Sequence, residues 1–140
     1  AVTREAKFAL TETLLGIAPA QIAPYVAQRL GLTTSRRLML TAARFDGEEA
    51  GRIGLADHVA DHVAGLDAFE QDIRRQVMLC APGANAMTKK ILLATPRLER
   101  ESMIEFAAEG FAQCMLSDEG REGVSAFVEK RKPIWARPAS

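Results

Sequence analysis

The sequence predicts a mainly α-helical chain with a short β element at its N-terminus, and three observations carry that prediction. Apolar residues return every three or four positions over most of the length. The stretches that carry them stop at Gly or Pro, and several begin behind a Ser, Thr or Asp suited to cap a helix. Strand-like sequence is confined to the front of the chain and one later stretch, Leu55 to Val63, which turns back toward the body and reads as extended.

Lys7 to Leu10 (Lys-Phe-Ala-Leu) reads as a short strand. A polar corner, Thr11-Glu12-Thr13, follows, and then an apolar turn, Leu14-Leu15-Gly16-Ile17-Ala18-Pro19. This arrangement sets Glu12 on a loop walled by Phe8, Leu14, Leu15 and Ile17. A strand needs neighbours for its backbone N–H and C=O groups, and none is evident for this one.

From Ala20 to Leu30 the apolar residues Ile22, Val26 and Leu30 recur every four positions, Pro24 falls early enough to cost little, and Gly31 supplies a stop. Thr34 caps a second helix through about Ala42, with Leu38 and Met39 inward and Arg36 and Arg37 outward. Asp46-Gly47-Glu48-Glu49 has capping-box spacing and opens a short helix that closes near Gly51 to Gly54. Phe69, Ile73, Val77 and Cys80 form the next stripe, ending before Pro82-Gly83, and Met87, Ile91 and Leu92 mark another. After Pro96, Met103, Ala107, Gly110, Phe111 and Cys114 share one face of an amphipathic helix of about five turns. Ser117 caps the final helix, Asp118 and Glu119 suit the positive end of its dipole, and Pro133 stops it.

Composition narrows the function. The 140 residues are 48% hydrophobic, enough for a real core, and 18 basic residues balance 18 acidic ones. No overall field therefore favours nucleic acid or an anionic membrane, and an anionic ligand must be held by a local cluster. No apolar run approaches a membrane span of about 20 residues, and the start, Ala1-Val2-Thr3-Arg4, has no secretory apolar region. A cytoplasmic protein is expected. The opening without Met, directly on a strand-like stretch, suggests a processed chain or a boundary imposed on a longer one. Cys80 and Cys114 lack the spacing of a metal or redox pair and read as reduced core residues. His58 and His62 have the i, i+4 spacing of a helical zinc pair, but no Cys or third His accompanies them, so a polar surface or pH-dependent packing role is expected and no metal. The charge run Arg97, Glu99, Arg100, Glu101 reads as a solvated face.

Four segments in order resemble the crotonase family of enoyl-CoA hydratases and isomerases. They are Ala6 to Pro19 (AKFALTETLLGIAP), Leu38 to Ala42 (LMLTA), Glu49 to Val59 (EAGRIGLADHV) and Ser117 to Pro133 (SDEGREGVSAFVEKRKP). Each is weak alone, while their order and spacing make the match strong. The departures are Thr11, where the family usually has Pro, and Pro19-Ala20-Gln21-Ile22-Ala23-Pro24-Tyr25-Val26, where many members have a Gly-rich run. The latter is similar to the methylglutaconyl- and isohexenylglutaconyl-CoA hydratase branch.

The resemblance implies the C-terminal part of an α/β, ClpP/crotonase-like spiral fold, with residues 1–66 in the core and 67–140 in a helical trimerisation region. It implies an enoyl-CoA hydratase that adds water to an α,β-unsaturated acyl-CoA thioester, with CoA as part of the substrate and no separate cofactor. Such chemistry needs fixed donors for enolate-like charge on the thioester oxygen, a base for water and an acid for the α-carbon. On the residues alone Glu12 reads as a solvated loop carboxylate or a cap. By resemblance it matches the glutamate that protonates the α-carbon, and apolar surroundings favour a carboxyl that keeps its proton. Phe127 and Lys130 match positions that approach CoA, an apolar ring over adenine or pantetheine and a point charge for phosphate. The alternative is that Phe127 is core and Lys130 a solvated end-of-helix charge; Arg131 and Lys132 are weaker candidates. In the family the two oxyanion donors and the second glutamate lie upstream, and neither falls on any residue here. The expected partners are the acyl-CoA, a missing N-terminal half or companion chain, and further copies in a trimer or hexamer. Isomerase activity, or an inactive oligomerisation or acyl-CoA-binding fragment, are the competing readings.

Overall fold

The computed structural model describes residues 1–136, which fall into two compact units, Ala1–Asp72 and residues 73 onward. The division lies within a helix, α3 (Val63–Met78). The chain is mainly helical with four short strands among the described residues, in line with the expected fold class.

In the first unit, β2 (Lys7–Ala9) finds the partner that sequence reasoning did not supply. It pairs antiparallel with β3 (Arg44–Asp46), in the register Lys7 to Asp46, Phe8 to Phe45 and Ala9 to Arg44. The cross-strand rings of Phe8 and Phe45 stack with centroids 5.3 Å apart, the side-chain pairing that stabilises so short a ladder. A second pair, β1 (Val2–Thr3) and β4 (Val59–Ala60), is parallel. Only these two residues of the stretch expected to be extended, Leu55 to Val63, form a strand.

Helix α1 spans Ala23–Leu40, with Pro24 in its first turn. The helix stop expected at Gly31 is a kink inside this span: Gly31 has φ 71°, ψ 165°, and helical backbone resumes on its far side. A left-handed φ is accessible to glycine without a Cβ clash, so the chain turns there and continues. Leu38 and Met39 point inward as expected, and Leu38 is the largest side chain fully buried among the described residues. Beside them, the buried Ser35 hydroxyl donates to the Val26 carbonyl at 3.1 Å.

Helix α2 (Gly47–Arg52) is opened by Asp46, whose carboxylate accepts the Glu49 N–H at 3.0 Å. Gly47 is required by contact rather than by dihedral angle, because a Cβ there would stand 1.9 Å from the backbone oxygen of Thr3. That absence of a side chain lets β1 lie against the start of α2. The same cap gives a pH prediction. The Glu49 N–H, followed by the charge of Lys7, holds the Asp46 carboxyl below its ordinary range. A depressed carboxyl contributes stability that is complete above its unfolded pKa, about 3.9, and is lost as pH falls through the lower folded value. Asn caps helices as well as Asp. Asp46→Asn should therefore leave the denaturation midpoint at neutral pH nearly unchanged and flatten its decline below about pH 4. Midpoints that fall equally for both proteins in acid would contradict the assignment.

The second unit holds α4 (Pro82–Ala94), α5 (Arg100–Leu116) and α6 (Asp118–Val128). Helix α5 packs against α4 through Gly110, which is buried and lies beside Met87 and Ile91. The face of α5 expected to be covered is so at Met103, Ala107, Gly110 and Cys114, joined by Phe106, but Phe111 is 67% exposed. The Ser117 hydroxyl accepts the Gly120 N–H at 3.0 Å, the N-cap expected for α6. The N–H of Gly83 in the first turn of α4 donates to the Glu119 carboxylate at 2.8 Å, so one acidic side chain from α6 caps a different helix. Cys80 is a correction: α3 ends at Met78, and the thiol is exposed and directed at the Gln76 carbonyl. Cys114 is half-buried, and both thiols are free. No described helix is long and apolar enough to cross a membrane.

Candidate functional site

Glu12 opens a 3₁₀ turn, Glu12–Leu15, which ends on Gly16 at φ 73°. Two anchors fix this turn to the first unit. The Leu10 N–H donates to the Ala43 carbonyl at 3.0 Å, extending the β2–β3 ladder by one bond. The Thr13 hydroxyl donates to the Met39 carbonyl at 3.1 Å, an acceptor at the end of α1 that also takes the Ala42 N–H at 3.4 Å. The turn closes as the Ile17 N–H meets the Glu12 carbonyl at 3.3 Å.

Glu12 is half-buried, and its Oε2 is out of solvent with no hydrogen-bond partner. Oε2 is thus in neither of the states that the residues alone suggest. A solvated loop carboxylate would have both oxygens wet, and a capping carboxylate would accept a backbone N–H. A buried carboxyl oxygen without a partner carries a desolvation cost, and native chains retain such groups where a ligand or proton transfer completes them. Leu14, Leu15 and Ile17, expected as walls, are 69%, 76% and 57% exposed. They form an apolar surface on and just after the 3₁₀ turn that begins at Glu12.

Phe127 lies in the last turn of α6 and is 85% exposed, so it is not a core residue. Lys130 is also exposed, but it lies beyond the helix, which ends at Val128, and it has φ 54°. The i, i+3 spacing therefore does not place it on a helical face under Phe127. The backbone follows another pattern: the Lys130 N–H donates to the Phe127 carbonyl at 3.2 Å and the Arg131 N–H to the Ala126 carbonyl at 2.9 Å. These are the two bonds of a Schellman motif, with Lys130 at the left-handed position that glycine usually fills. Sequence reasoning missed this because lysine there is an unfavourable choice.

Arg131, a weaker candidate by sequence, is the centre of the network that follows. Its guanidinium donates to both oxygens of Glu122, at 2.6 and 2.9 Å, and to Glu129 at 2.6 Å. Glu122 also accepts the Ile134 N–H at 2.9 Å. Glu122 and then Glu129 raise the guanidinium pKa above its already high value. The Ser125 hydroxyl, and then Arg131, hold the Glu129 carboxyl below the usual range.

The second unit also carries a cavity of about 690 Å³ lined by Met87, Phe111, Cys114, Met115, Val124 and Trp135 among others. It lies among α4, α5 and α6, and none of the expected site residues lines it. His58 stacks on Phe69 with ring centroids 4.4 Å apart and planes 2° from parallel, a packing role. Among the described residues no group of three or more His, Cys, Asp or Glu side chains could hold a metal. Arg97, Glu99, Arg100 and Glu101 are all exposed.

Comparison with known proteins covers almost the whole chain. Residues 1–138 match the model of a family described as enoyl-CoA hydratase/isomerase. A carnitinyl-CoA dehydratase of Citrobacter koseri is 31% identical over 135 residues, which is 93% of this chain and 51% of that protein. A short-chain-enoyl-CoA hydratase of Clostridium acetobutylicum is 28% identical, covering 91% of this chain and 49% of that protein. Among solved structures, Pseudomonas aeruginosa AtuE superposes with a TM-score of 0.91 at 48% identity, over 98% of this chain and 54% of that one. An enoyl-CoA hydratase/isomerase from Marinobacter aquaeolei gives 0.88 at 41% identity, over 98% and 52%. The chain thus spans about half the length of the relatives it matches.

Proposed function

The chain belongs to the enoyl-CoA hydratase/isomerase family, and from that premise we propose that it forms part of a hydratase acting on α,β-unsaturated acyl-CoA thioesters, with Glu12 as the acid that protonates the α-carbon. The observation that carries this reading is the buried, unpartnered Oε2 of Glu12 on an anchored turn. Addition of water at the β-carbon leaves charge on the thioester oxygen and a carbanion-like α-carbon, and a carboxyl shielded from water delivers its proton there. Leu14, Leu15 and Ile17 line the acyl side of that carboxyl once a partner surface covers them. Phe127 and Lys130 meet CoA. No metal is needed, since two carboxylates and two backbone donors suffice, and CoA enters as part of the substrate.

The relatives carry about as much sequence again outside the matched part. In this reading the oxyanion donors and the water-activating glutamate come from beyond these residues, on the same polypeptide or a companion. The apolar helix faces exposed in the second unit, at Leu92, Ile104 and Leu116 for example, support association of copies into a trimer or hexamer.

The segment Pro19 to Val26 supports the methylglutaconyl-type branch. It places Tyr25, 74% exposed, in the first turn of α1 a few residues after the Glu12 turn. The assembled protein should hydrate methylglutaconyl-CoA with a higher kcat/KM than crotonyl-CoA, followed by loss of the enoyl thioester absorbance. A preference for crotonyl-CoA would remove the branch assignment, and failure to hydrate either would remove the hydratase reading.

A further inference from the structure

We propose that Arg131 is a positioning residue that, by clamping Glu122 and Glu129, holds Lys130 in its left-handed conformation just past the helix turn that carries Phe127, and so presents the Lys130 ammonium in a preformed position for the phosphates of CoA. The inference rests on the assignment of Phe127 and Lys130 to CoA and adds the device that positions Lys130.

The geometry carries it. A non-glycine residue at φ 54° is sterically disfavoured, and the Schellman position after a helix is one that glycine fills at no cost. Lysine persists there because its surroundings leave it no alternative. Arg131, the next residue, is tied through its fork to Glu122, nine residues earlier on α6, and to Glu129 on the other side of Lys130. The Ile134 N–H closes onto the same Glu122. The turn is therefore gripped on both sides of Lys130, while Lys130 makes no ion pair among the described residues and Phe127 is 85% exposed. Backbone strain held in place by a rigid network, with the strained side chain unengaged, is the pattern of a group kept ready for a ligand. A stability role alone would be better served by glycine at 130.

The test is a double-mutant cycle on the assembled protein, read as the dissociation constant for coenzyme A itself. Far-UV circular dichroism verifies the fold of each variant. Lys130→Gly should raise the thermal midpoint or leave it unchanged, and yet weaken CoA binding by about tenfold, the loss of one charge-assisted contact. Arg131→Gln should weaken CoA binding in the Lys130 protein by a similar factor but add little in the Lys130→Gly background, since there is then nothing left to position. Glu122→Gln, which keeps shape and removes one side of the clamp, should behave as Arg131→Gln does. Equal losses in both backgrounds would mean that Arg131 acts through general stability, and would overturn the positioning role while sparing the CoA assignment. If Lys130→Gly leaves CoA affinity intact, the CoA assignment itself fails and the proposal with it.

Discussion

Glu12→Gln in the assembled protein is expected to lower the hydration kcat by about 10²- to 10⁴-fold while changing KM little, the range over which a positioned general acid contributes. Gln has the size of Glu and no transferable proton, so the substitution isolates chemistry from shape. The turn should survive it, since its anchors are the Thr13 hydroxyl on the Met39 carbonyl and the backbone of Leu10 on Ala43. The Glu12 carboxylate takes part in neither anchor. The change should leave stability close to that of the parent, because Oε2 has no hydrogen-bond partner to lose. Loss of rate together with unchanged stability is the signature of a group kept for its chemistry. Exchange of the substrate α-proton with solvent deuterium should fall with the hydration rate, because the same carboxyl serves both. A variant that hydrates at the parent rate would end the assignment, and one that loses rate only in proportion to its folded fraction would make Glu12 structural.

What could be read from the sequence is what short stretches decide for themselves. The caps at Asp46 and Ser117 were legible because each needs only its own side chain and an N–H three residues on. The inward pair Leu38 and Met39 was legible because it follows Arg36 and Arg37, whose charges take the solvent side of the same turn. The partner of β2 was not, because Arg44-Phe45-Asp46 is three residues long and carries no alternation of its own; its strand character comes from pairing with Lys7 to Ala9. Cys80 was misread for a related reason. Its spacing extends a helical stripe, but α3 ends at Met78, and burial depends on what lies against a face, which spacing does not report. At the candidate site, Glu12 stood out through resemblance and not through its neighbours, and its unpartnered oxygen is a property of packing. Lys130 stands out through the same resemblance, while the conformation that makes it unusual lies in backbone bonds from Lys130 to Phe127 and from Arg131 to Ala126.

Leu38→Ala is expected to cost about 2–5 kcal/mol, the range for truncating a fully buried leucine when the surroundings cannot collapse onto the space. Its side chain is 1% exposed, and the other strongly buried apolar residues of the first unit are Met39, Ala50, Ala56 and Ala60. Three of those four are alanines, which have no further length to fill a cavity, so the upper part of the range applies. The position also links the core to the candidate site. The Leu38 carbonyl accepts the Ala43 N–H at 2.9 Å, the Ala43 carbonyl accepts the Leu10 N–H, and the neighbouring Met39 carbonyl accepts Thr13. Loosening the end of α1 therefore disturbs both anchors of the Glu12 turn. The expected outcome is a lower denaturant midpoint and, at concentrations where the protein remains folded, a reduced kcat. Leu38→Met, which keeps volume, should cost less than about 1.5 kcal/mol and restore most of the rate. A rate that stays at the parent value in folded Leu38→Ala protein would show that the turn does not depend on this core, and a stability loss well under 2 kcal/mol would show that the first unit is covered by more than its own residues.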